Sequence, residues 1–258
     1  YMSHNRHFLA WAATMQGRRR EAVTAARAIL NEVPAPLMES LAAATDGIAS
    51  CKWHALVRFG MWEDILAEPV DPDWAKVNHC LRHYARGVAF ANTDRIDEAR
   101  AEVVAFDEAV ESLDGLERWM GNQPAAEIMP LARLVLLGEI EYKAGDRELG
   151  LDLLKRACEA EEAIVYAEPA PWMMPARHAY GALLVSDGRH AEAEKVYLRD
   201  LEVYPANGWA LLGLREALRG QGRDEEAMRV DQSFRRAWES ADVMPPASCY
   251  CGTPVASR

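Results

Sequence analysis

Long hydrophobic runs are missing from this 258-residue chain. The best candidate, Leu131 to Leu137, is interrupted by Arg133 and gives way to Gly138 and Glu139. That is far short of the roughly 18 to 20 apolar residues a bilayer span needs, so no membrane span is expected. Positive charge is scarce as well. The chain carries 29 Lys and Arg against 40 Asp and Glu, for a net charge of -11, and no basic run exceeds Arg18-Arg19-Arg20. Phosphate backbones require clustered cations, so nucleic acid is not an expected partner. The five cysteines are too few and too scattered for a disulfide framework. Cys51, Cys80 and Cys158 read as small buried apolar residues. Cys249 and Cys251 stand apart, in a tail rich in Pro, Ser and Gly where packing gives no account of them.

Catalytic signatures are also lacking: no phosphate loop, no dinucleotide glycine fingerprint, no zinc-protease pair of histidines around Glu, no nucleophile elbow. This moves the expectation from enzyme toward binding protein. The chain opens on Tyr1 rather than Met and enters a helical pattern at once. We therefore expect that an upstream portion was removed and that any targeting signal went with it. A cytoplasmic location is favoured, and a periplasmic one follows if a signal peptide lay upstream.

What the chain does have is internal repetition. Half of its residues are hydrophobic, and six times an amphipathic segment is followed by a short break, an acidic residue close to a small one, and a second amphipathic segment. The breaks start at Gly17, Gly60, Asp94, Gly145, Gly188 and Gly222. Glycine can end the first helix in a left-handed conformation, an acidic side chain suits the first turn of the next, and a small residue lets the two helices approach.

The fifth copy carries a resemblance. Tyr180, Gly181, Leu184, Gly188, Ala193, Tyr197 and Pro205 fall where the tetratricopeptide repeat family places its large, small, turn-forming and terminating residues. The His-bearing opening, the Trp and Pro segment before that copy and the closing Cys249-Tyr250-Cys251 further resemble a group of bacterial proteins similar to tetratricopeptide repeat protein 38. The family implies an all-α fold, an α-α superhelix of about six helix pairs, and a concave surface lined by the first helices. The carboxylate-binding Lys and Asn cluster of some members does not carry over, since His, Trp, Leu and Ala hold those faces here.

The spacings from break to break, 43, 34, 51, 43 and 34 residues, depart from the family unit of about 34. We expect one elongated helical domain over 1–244, with repeats over 3–34, 47–68, 77–112, 131–162, 176–205 and 207–240, and a Cys-containing tail over 245–258. The excess residues fall in Asn31 to Thr45, Leu113 to Pro130 and Glu162 to Pro175. Long Pro- and Trp-bearing loops on a rigid frame read either as lids over a groove or as caps on helix ends. In the third of them, Trp172 and Met173 are placed to lie across a groove mouth.

His4 and His7, three apart, share one helix face, as do His79 and His83, four apart. With the family's geometry, His4, His7, His54, His83 and His178 project toward one groove, joined by Trp11, Arg58, Tyr84 and Trp172. Trp53 is expected to pack in the core, Arg58 to be exposed, and Trp238 to cap the last helix beside a polar outer face formed by Arg235, Arg236 and Glu239. The leading expectation is a non-enzymatic scaffold that holds a peptide, a protein segment or a small ligand in this groove. A second is a metal-binding protein or metalloenzyme that uses His4, His7, His79, His83, Cys249 and Cys251 for zinc or copper. A third is an architectural part of a larger protein.

Overall fold

The computed structural model describes residues 2–31 and 33–252; Tyr1, Glu32 and residues 253–258 of the expected tail lie outside the described residues. The chain is all-α apart from one short hairpin. Its helices are α1 (Met2–Met15), α2 (Arg19–Asn31), α3 (Ala35–Ser40), α4 (Ala42–Ala49), α5 (Cys51–Arg58), α6 (Trp62–Ala67), α7 (Lys76–Ala91) and α8 (Ile96–Glu111). The hairpin, β1 (Trp119–Met120) with β2 (Gln123–Pro124), precedes α9 (Ala125–Ala144) and α10 (Arg147–Glu162). α11 (Ala176–Ser186), α12 (His190–Val203), α13 (Gly208–Gly220) and α14 (Asp224–Ala237) complete it.

Six antiparallel pairs follow from the breaks: α1/α2, α5/α6, α7/α8, α9/α10, α11/α12 and α13/α14. The first members, α1, α5, α7, α9, α11 and α13, touch one another in succession. The break residue is left-handed even where glycine is gone, with Asp94 at φ 60° as Gly60 is. Asp is one of the few side chains that tolerates this conformation. Close approach explains the small residues. A Cβ on Gly213 would lie 2.1 Å from the Tyr197 ring, and one on Gly181 only 2.5 Å from it, so the two glycines form the slot that admits this ring.

Three expectations need correcting. The Asn31 to Thr45 stretch is largely helical, in α3 and the start of α4, rather than loop. Likewise α9 begins at Ala125, with Pro130 inside it; the ring costs one backbone hydrogen bond, but the helix is held on both sides by α7 and α10. Lastly, the first and last helix pairs meet instead of standing apart at two ends of an elongated array. The Trp209 indole donates to the Thr14 carbonyl at 2.9 Å, and Trp238 packs where a Cβ on Gly17 would lie. Asp242 accepts from the Arg19 and Arg20 amides at 2.7 and 3.0 Å, capping α2 from the far end of the chain. Trp238 is accordingly buried at this closure, whereas Arg235, Arg236 and Glu239 remain exposed.

Remote caps recur. Asp46 accepts from the Val77 and Asn78 amides at the start of α7, and Glu161 accepts from the Ala176 amide at the start of α11 at 2.9 Å. Each satisfies orphan amides of a helix N-terminus that its own sequence leaves uncapped. No described helix is long and apolar enough to cross a membrane.

Candidate functional site

Charged residues sit on faces that must be buried, and this is what builds the site. α5 and α11 are covered on every side, although they carry Lys52, His54, Arg58, Arg177 and His178. Buried ionisable groups need partners or must shed their charge. Lys52 takes Asp71 at 2.6 Å.

Arg58, expected to be exposed, is 4% exposed, because its guanidinium finds acceptors inside. Nη2 lies 2.6 Å from His178 Nδ1, Nη1 donates to the Ser248 carbonyl at 3.3 Å, and the group stacks over Trp209 at 3.6 Å. His178 Nε2 in turn lies 2.8 Å from Asp200, whose carboxylate also accepts from Asn207 at 2.9 Å. Arg can only donate and an ionised Asp can only accept, so His178 is a neutral ring that accepts on Nδ1 and donates from Nε2. Burial lowers the His178 pKa, although Asp200 pulls the other way. Burial alone would raise the Asp200 carboxyl, but the His178 and Asn207 contacts hold it below its usual range. Burial also draws Arg58 down to about 9.

The tail occupies this centre. Ser248 is 1% exposed; its hydroxyl bonds the Tyr197 hydroxyl at 2.6 Å and donates to the His178 carbonyl at 2.9 Å. Tyr250 packs against Gly60, and Cys251 is fully buried. Cys249 and Cys251 are joined as a disulfide. Packing, which the sequence left without a role for these cysteines, is where the structure puts them.

Beside the tail, Trp172 meets His54 edge-on at 4.6 Å and Tyr84 at 5.2 Å. Trp172 and Met173 are therefore core residues, 2% and 1% exposed. Neither ring nitrogen of His54 has a hydrogen-bond partner. Burial, with repulsion from His7, brings its pKa down to about 3, and burial with repulsion from His4 brings His7 to about 4. Both rings are uncharged at neutral pH.

Thus His54, Arg58, Tyr84, Trp172 and His178 do come together, in a filled interior. His7 is buried near enough to His54 to act on its charge, and the remaining candidates lie elsewhere. His4 is exposed against Phe8 at 4.8 Å, and His79 lies 3.2 Å from the Pro72 carbonyl. His83 pairs with Glu102 at 2.6 Å, which Arg86 also holds. His4, His7, His79 and His83 do not gather as a metal set. Among the described residues, the only set of three or more close His, Cys, Asp or Glu ligand atoms is Glu139, Cys249 and Cys251.

Trp11 faces a different space, 6.4 Å from Tyr204. A cavity of about 1190 Å³ opens there, between α1, the Glu162 to Pro175 segment, the α12–α13 link and the end of α14. Phe8, Trp11 and Met15 line it from one helix face, and Tyr166, Pro169, Pro171, Trp172 and Tyr204 line it opposite. Glu161 lies in its wall, and burial pushes its carboxyl up to about 8. Arg177 pairs with Glu162, and Arg199 reaches the same carboxylate at 3.2 Å.

Sequence reasoning missed Glu139, Glu161 and Asp200. One signal could have found them. Each continues an apolar helical stripe: Val135 to Glu139, Leu154 and Ala157 to Glu161, and Ala193 and Tyr197 to Asp200. No family model matches this chain, and no match was found among the curated proteins or the solved structures.

Proposed function

We propose that this chain is a non-enzymatic binding protein, a closed superhelix of tetratricopeptide type, whose site is the cavity beside Trp11 and Tyr204. The reading rests on that cavity: about 1190 Å³, walled mostly by aromatic, proline and aliphatic side chains, with a few paired charges in its wall. Concave apolar sites with a small number of placed polar groups are what recognition of organic ligands requires. Its size exceeds that of a compact small-molecule site, and the wall offers both signs of charge, in Arg177, Arg199 and Arg236 against Glu162, Glu168 and Glu239. A short peptide segment with apolar side chains and a backbone needing both donors and acceptors matches this lining. The interior around Arg58 and His178 then serves as support, since the chain's own side chains and tail already fill it.

The test uses peptides selected by display on the full chain and measured by fluorescence anisotropy. Trp11→Ala, and Ser240→Trp, which fills the cavity rim, are each expected to weaken the selected peptides at least tenfold, while Arg133→Ala on the distant α9 surface leaves them unchanged. Peptides that bind both cavity variants as tightly as the parent, with folding verified by circular dichroism, would exclude this site. So would a selection that yields no binder.

A further inference from the structure

The tail brings its two cysteines against a buried carboxylate. Both sulfurs and a carboxylate oxygen of Glu139 lie within 4.8 Å of one another. Glu139 is 2% exposed, it accepts one hydrogen bond, from Asn92 at 3.0 Å, and among the described residues it forms no ion pair with Lys or Arg. A small void of about 20 Å³, bordered by Glu139, Cys249, Arg58 and Tyr84, adjoins the group. Such a space takes a single water.

Stabilisation does not account for the cysteine pair. A disulfide between residues two apart closes a minimal loop, and cross-links of that kind remove the least freedom from the unfolded chain. The donor set has another chemistry. Two thiolates, one carboxylate and one water make a four-coordinate site for a borderline-soft divalent cation. Zinc–sulfur bonds of about 2.3 Å set tetrahedral sulfurs roughly 3.8 Å apart. Opening the disulfide therefore requires only a small separation of the two side chains.

We propose that Cys249, Cys251 and Glu139, once the disulfide is reduced, bind a divalent cation of the zinc class, with a water from the adjoining void as fourth ligand. The reductant is a dithiol. It delivers two electrons and two protons to the Cys249–Cys251 bond and leaves as its own disulfide. The cation then takes both sulfurs as thiolates, and the two thiol protons pass to water. In the oxidised state the cysteine pair only packs beside Glu139 of α9, whereas in the reduced state the cation ties the tail to that helix. This site lies behind Trp172 and does not depend on the role of the larger cavity.

The full chain, reduced with a phosphine and desalted without oxygen, is titrated with cobalt and then zinc. One equivalent of cobalt is expected to give thiolate-to-cobalt charge-transfer absorption that zinc displaces, and the oxidised protein is expected to give none. Cys249→Ser with Cys251→Ser should abolish the signal. Glu139→Gln should keep the thiolate absorption and weaken binding at least tenfold. Zinc-edge X-ray absorption of the unsubstituted chain, which needs no variant to fold, should report two sulfur and two oxygen or nitrogen ligands. A folded, reduced chain that takes up no cobalt overturns the proposal. Binding unaffected by Glu139→Gln, or a zinc shell without two sulfurs, does so equally.

Discussion

The centre of the molecule and the cavity at its edge are built from the same residue types, aromatic rings packed beside guanidiniums and carboxylates. In the centre, Arg58 is answered by His178 and the Ser248 carbonyl, and Asp200 by His178 and Asn207. At the edge, the Trp11 and Tyr204 rings, with centroids 6.4 Å apart, border an open cavity, and Glu161 in its wall keeps a raised pKa. The tail makes this difference. Ser248 and its neighbours fill the space between α5 and α11, while among the described residues nothing of comparable size fills the space between α1 and the α12–α13 link. The chain thus fills one part of its interior with its own tail segment and leaves another part open.

The contrast breaks most sharply at Arg58. Arg58→Ala removes a buried cation from three contacts and leaves Asp200 buried beside a weakened partner; a loss of about 3 to 5 kcal/mol is expected in urea unfolding. A loss below about 1 kcal/mol would mean that the centre is no more constrained than the edge.

A more gradual effect, spread over several pH units, is expected from pH. Glu161 has a folded pKa of about 8 against an ordinary 4.5, so the folded state holds a proton that the unfolded state releases. Stability is then lost as pH rises from about 4.5 toward 8, by at most about 1.4 kcal/mol per pH unit for this group. His54 acts in the opposite direction: lowered from 6.5 to about 3, it costs stability as pH falls below 6.5. Thermal unfolding followed across this range should show Glu161→Gln losing part of the decline on the alkaline side and keeping the decline on the acid side. An unchanged alkaline slope would place the Glu161 carboxyl in an ordinary, hydrated setting.

The least effect is expected at the cavity edge itself. Val165, 53% exposed in the cavity lining, should tolerate Val165→Ser within about 0.5 kcal/mol by the same urea measurement. A larger loss would show that the edge, too, is part of the packed core.

Much of the helical order could be read directly from the chain. The breaks at Gly17, Gly60, Asp94, Gly145, Gly188 and Gly222 all separate paired helices, and Gly181, the small residue of the fifth copy, lies against the Tyr197 ring of that copy. These features repeat at short range, so periodicity exposes them. The helical character of 35–49 was hidden because Pro34 and Pro36 read as loop, although both lie at a helix start, where a missing amide costs little. The burial of Arg58 was hidden for a different reason. Its acceptors, His178 and Ser248, lie 120 and 190 residues away, and no local pattern reports a contact at that distance. Glu139, Glu161 and Asp200 were half visible, as charges on apolar stripes whose partners the sequence does not name.

By itself, then, the sequence determined where the six breaks fall and which helices pair across them, because those choices depend on side chains within a few residues of one another. Only the tertiary structure decided that the first and last pairs meet through Trp209, Trp238 and Asp242, and that the tail enters the centre. It also decided that the open space lies beside Trp11 rather than among the histidines. Closure of that kind depends on small angles summed over six helix pairs, and each angle is set by packing between residues far apart in the chain.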